Sequence, residues 1–159
     1  MNIPTSLPHQ PVIVSDNYGR VDGRYSRRTD VKGLSLGLTQ GSDQGRTDIS
    51  ANLWRHPGEP GASPSEELPI HRVLDLAILI CRSSLHFQDA YRYPLLYDPD
   101  QPMIDRIGLQ GDAMNVSICT ENPMIDQDIQ RFAQVLNEDG DMIGERLRVL
   151  SQLLEELGY

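Results

Sequence analysis

The chain has 159 residues, 38% of them hydrophobic, and a formal net charge of −9. That length suits a single domain, burying roughly 68–70% of the surface its unfolded chain exposes. The acidic balance argues against general nucleic-acid affinity, which draws on an excess of Lys and Arg to displace counterions from phosphate.

The charge is uneven: residues 1–60 hold seven basic and six acidic residues, and residues 61–159 hold seven basic and seventeen acidic. Arg supplies thirteen of the fourteen cations, Lys32 being the exception, which favours fixed pairings over a solvated lysine coat. Met1 to Thr5 lacks the basic and apolar regions of a signal peptide. The longest apolar run, Leu76 to Cys81, falls far short of the ~20 residues of a membrane span, so no membrane association is expected. Cys81 and Cys119 make neither a disulfide framework nor a CxxC metal spacing; buried free thiols in a reducing cytoplasm are the expectation.

In chain order, Pro11 to Ser15 (PVIVS) is β-branched and reads as a strand. A glycine-rich loop follows from Asn17 to Gly33. Leu34 to Thr39 (LSLGLT) alternates at period 2, as does Thr47 to Arg55, where Ile49, Ala51 and Leu53 share a face. With the turn at 41–45 (GSDQG) these form a hairpin. His56 to Pro64 is a Pro/Gly loop. A helix is predicted over 66–91, with Ser65 as N-cap, Glu66 and Glu67 in the first turn and Pro69 still within that turn. Between Val73 and Cys81 only Asp75 is polar, so this helix is expected to be buried on all sides. Tyr93 to Pro102 is a linker. Segments 106–110 and 113–120 form a second hairpin across Gly111 and Asp112. Helices are predicted over 123–137, opened by Asn122 and Pro123, and over 141–157, ended by Gly158. The fold class expected is α+β in one domain: antiparallel hairpins packed on a buried central helix and two C-terminal helices.

The segments VIVSDNYGRVDGRYSRRTDVKGLSLGLTQ, SEELPIHRVLDLAILICRSSLHF, LYDPDQPMIDRIGLQGDAMNVSICTENP and IGERLRVLSQLLEELGY resemble an uncharacterised bacterial single-domain family, over nearly the whole chain. The resemblance implies a bacterial, cytoplasmic protein and supplies no catalytic residues. Residues 33–80 are similar to the strand–strand–helix half of PC4-like single-stranded-DNA binders. That likeness implies contacts from Arg46, Trp54 and Arg55.

Three constellations bear on function. His71 and Asp75, at i and i+4, are the candidate acid–base or metal-ligand pair. His86 and Asp89 lie about 22 Å further along the helix axis, too far to join them. Arg20, Arg24, Tyr25, Arg27, Arg28 and Lys32, with Tyr18, form the basic and aromatic segment suited to phosphate or single-stranded nucleic acid; Trp54 and Arg55 of the hairpin extend it. Asp98, Asp100 and Asp105 lack the turn glycine of a cation loop. Glu138, Asp139, Asp141, Glu145, Glu155 and Glu156 form an acidic C-terminal surface suited to a basic partner. The leading expectation is a non-enzymatic protein-binding, inhibitor or immunity-type module, with a protein partner or a second copy of itself and with neither cofactor nor metal. A nucleic-acid-binding module and a His71/Asp75 enzyme are the alternatives.

Overall fold

The computed structural model describes residues 9–40, 45–58 and 63–159. Residues 41–44 of the expected turn and 59–62 of the Pro/Gly loop lie outside them. The chain divides into two compact units, Met1–Ala77 and Ile78–Tyr159. Antiparallel sheets and three helices make the class α+β.

In the first unit, β1 (Gln10–Ser15), β2 (Val31–Gln40), β3 (Thr47–Arg55) and β4 (Ser65–Pro69) form one antiparallel sheet in chain order. The register pairs Ile13 with Leu36, Leu36 with Ala51, and Ala51 with Leu68. Because side chains alternate across a strand, one face collects Ile13, Leu34, Leu36, Leu38, Ile49, Ala51, Leu53 and Leu68, with Ser15 and Glu66 at its edges. The other collects Val31, Gly33, Ser35, Gly37, Ser50, Asn52 and Trp54. The second face is the closed one at its centre: the seven residues named there are buried, Val31 and Trp54 among small and polar neighbours, while Val14 and Glu67 of the edge strands stay exposed. None of the named apolar residues on the leucine face is buried. This inverts the usual arrangement, in which the apolar face of a sheet meets the core.

β4 occupies the segment expected to open the helix. Ser65 to Pro69 pairs with β3 from Trp54 to Ser50. The cap-like residues of SEELP are overridden by the free edge of β3, and the missing Pro69 N–H falls at the strand's last residue, where it is tolerated. Helix α1 (Ile70–Asp89) therefore starts four residues later than expected. It is also not the buried element its composition suggests. His86 is its one buried residue, and Leu74, Leu76, Ile80 and Leu85 leave half or more of their surface to water. Apolarity on all sides buries a helix only where the chain supplies a layer on each side.

In the second unit, β5 (Met103–Gly108) and β6 (Ala113–Ser117) form a hairpin, closed by a hydrogen bond from Leu109 N–H to the Asp112 carbonyl (2.9 Å). Helices α2 (Ile125–Glu138) and α3 (Gly140–Leu157) meet at Asp139. Asn122 caps the chain before α2: its Oδ1 accepts the Met124 N–H at 3.0 Å and its Nδ2 donates to Asp128 at 2.8 Å. That turn delays the helix start from Pro123 to Ile125. Gly158, at φ 91°, adopts the left-handed conformation that ends α3. Ala90, Tyr97, Val116 and Ile129 form the buried apolar set of this unit, and Tyr97 OH donates to Asp126 at 3.1 Å. Cys81 and Cys119 are free and both exposed, contrary to the expectation of burial. Cys81 shares the exposure of α1, and Cys119 lies in the turn after β6.

Candidate functional site

On the closed face, His9 stands over Gly37 and is 1% exposed. Its Nδ1 lies 2.6 Å from Ser50 Oγ and its Nε2 lies 2.9 Å from Ser35 Oγ. Trp54 Nε1–H donates to the same Ser35 oxygen at 2.7 Å, and Glu67 Oε1 is 3.9 Å from His9 Nδ1. A Ser–His–Glu grouping invites a nucleophilic reading, but the geometry opposes it. In a working triad the acid holds the imidazole nitrogen opposite the serine; Ser35 meets the opposite nitrogen here, but Glu67, at 3.9 Å, is beyond hydrogen-bond reach of Nδ1, which Ser50 occupies instead. Ser35 and Ser50 are 4 and 0% exposed, so neither is open to a substrate. The cluster is an internal hydrogen-bond lock that fastens β1 to β2 and β3. Asn52 Oδ1, on the same face, has no hydrogen-bond partner among the described residues.

The residues singled out from sequence are dispersed. His71 is exposed and Asp75 half-buried, and no hydrogen bond joins them among the described residues. The i, i+4 spacing brings the two side chains to one side of α1 without joining them. His86 is engaged elsewhere: its Nε2–H donates to the Leu96 carbonyl at 2.9 Å. Arg82 donates to Asp105 at 2.6 Å and holds that carboxyl below its ordinary range. Asp98 Oδ1 accepts the Asp100 N–H, an ordinary turn contact. Among the described residues no group of three His, Cys, Asp or Glu side chains is placed to hold a metal ion.

Of the eight nucleic-acid candidates, Arg20, Arg27 and Lys32 line one open cleft of about 440 Å³ with Asp16 and His56. Arg27 takes a positive φ of 70°, its N–H donating to the Gly19 carbonyl at 2.8 Å. Arg24, Tyr25 and Arg28 are exposed outside that cleft. Trp54 is buried at 5% and committed to Ser35, which removes it as a stacking platform. Arg55 is committed as well, to Asp30 at 2.7 Å and Glu66 at 2.6 Å. Hydrogen bonding to Arg55 lowers the Asp30 carboxyl below its ordinary value.

Among the described residues of the first unit, the leucine face is an open apolar surface. Ile13, Leu36, Leu38, Ile49 and Leu68 are 64, 37, 42, 51 and 39% exposed. Together with Leu34, Ala51, Leu53 and Val73 they present on the order of 600 Å² of apolar surface, at the upper end of what monomers carry in one patch. An open groove of about 450 Å³ runs across it, bordered by Ile13, Leu36, Leu53, Leu68 and Val73. The one charged group at its border, Glu66, is already paired with Arg55. The alternation in β2 and β3 marked this face in the sequence; nothing there marked it as uncovered.

Residues 1–159 match the model of a family of unknown function, DUF6530. No curated protein and no solved structure matches the chain, so the likeness of residues 33–80 to PC4-like binders is not shown.

Proposed function

The chain belongs to DUF6530, and since that family has no assigned function we propose a role from the chain's own surface. It is a non-enzymatic protein-association module whose binding element is the leucine face of the β1–β4 sheet. The observation that carries this reading is the sheet's arrangement: Gly33, Ser35, Gly37, Ser50 and Asn52 are sealed inside with Val31 and Trp54, while eight apolar side chains of four paired strands face outward. Leaving that much apolar surface in water costs free energy that a partner surface recovers. The enzyme alternative loses its support because His71 and Asp75 stand apart and Ser50 is sealed. The basic cleft sets three cations against Asp16 with the imidazole of His56 as the one ring among its lining residues, a poor match to the Tyr, Trp and Phe stacking platforms of single-strand binders. Two exposed free thiols suit a reducing, cytoplasmic setting, and no helix among the described residues is long and apolar enough to cross a membrane.

The test uses the full chain as bait in a native lysate beside a Leu36→Glu variant. Polypeptides retained by the wild type, second copies included, are expected to be lost from the variant. Equal retention by both removes the leucine face from the interaction.

A further inference from the structure

Resting on that reading, we infer that the partner of the leucine face is a second copy of this chain, bound face to face through the β1–β4 sheets. Three features fit a second copy. The first is area. Doubling the roughly 600 Å² patch gives about 1,200 Å², the lower bound of specific interfaces. Ile70 and Leu74, 36 and 60% exposed at the start of α1 in the same unit, extend what is available.

The second is charge. Residues 1–77 hold eight basic and nine acidic residues, net −1, whereas residues 78–159 hold six basic and fourteen acidic, net −8. Self-association needs a surface that does not repel its own image, and the apolar patch lies on the nearly neutral unit. A basic foreign partner would be drawn to the other unit instead. The third is composition. The centre of the face is apolar, and Glu66, which shares the face at its β4 edge beside Leu53, is ion-paired within the chain to Arg55 at 2.6 Å. Two-fold pairing therefore brings apolar side chains onto apolar side chains and buries no unpaired charge, which is what an isologous contact requires.

Light scattering on the eluting full chain at about 50 μM, well above a micromolar Kd, is expected to give twice the 17.9 kDa chain mass. Leu36→Glu and Ile49→Glu replace side chains already open to solvent, so each should fold. Both are expected to halve the measured mass with an unchanged far-UV spectrum. Leu157→Glu, on the exposed stripe of α3, should remain dimeric. A wild-type chain eluting at 17.9 kDa, or a dimer that survives both sheet variants, overturns the self-pairing.

Dye binding separates that failure from failure of the underlying reading. A monomeric wild type that binds anilinonaphthalene sulfonate strongly, and loses it on Leu36→Glu, overturns the second copy but keeps the face as an association surface. A monomer that binds no dye overturns both.

Discussion

His9 is a titratable residue that folding closes off almost completely, at 1% exposure. Burial disfavours its charged form and lowers its pKa below 6.5; the Glu67 carboxylate opposes that shift without cancelling it. The unfolded chain takes up a proton at about 6.5 while the folded chain resists until lower pH, so acid favours unfolding. The stability His9 permits is whole above 6.5, declines as pH falls through that value, and levels off below the folded pKa. Asp30 and Asp105, whose carboxyls are held low by Arg55 and Arg82, lose their contributions only below the ordinary carboxylate value, in a separate acid window. Urea midpoints of the wild type are therefore expected to drop between pH 8 and pH 5.5, and a His9→Gln variant should lose most of that slope. A wild-type midpoint flat across the range would show that His9 protonates freely in the fold. None of this was legible in the sequence. His9 lies 26 and 41 residues from its serine partners, and a lone histidine before a short strand carries no local sign of burial. The usable clue was the alternation of Gly33, Ser35 and Gly37, which leaves room for a ring.

At the scale of elements, Gly37 shows how tightly β1 lies on β2. A Cβ added there would strike the Gln10 carbonyl and come within 2.9 Å of His9 Cε1. Backbone cannot yield as a flexible side chain does, so Gly37→Ala should push β1 off the sheet and cost about 1–3 kcal/mol, the range of overpacked sites. Chemical denaturation followed by Trp54 fluorescence measures this; a change below about 0.5 kcal/mol, the scatter of neutral surface substitutions, would mean that β1 floats. Strands β2 and β3 were legible because their alternation is strict over nine or ten residues. The end of α3 was legible because Gly158 is a local signal. β4 was not, because SEELP carries every local mark of a helix start and only its long-range partner, β3, decides otherwise. The exposure of α1 was hidden for a related reason: periodicity tells which sides of an element are apolar, never whether another layer arrives to cover them.

For the whole molecule, the association proposed above brings together two chains of −9 each. Salt shortens the reach of that repulsion from about 10 Å at 0.1 M to 3 Å at 1 M. Self-association is therefore expected to tighten, by roughly two- to tenfold between 50 and 500 mM NaCl, as read by sedimentation velocity. Weakening over that range would mean that opposite charges, not leucines, hold the pair. The site was half legible at this scale: the apolar alternation of β2 and β3 that marks the leucine face is plain in the sequence, but its exposure depends on where His9 and Trp54 go. Trp54 is also the chain's single tryptophan, sealed at 5% exposure in the first unit, whereas α2 and α3 belong to the second. Indole emission thus watches one half of the protein while helical ellipticity is weighted toward the other. A single melt recorded on both channels tells whether the halves come apart together or one after the other.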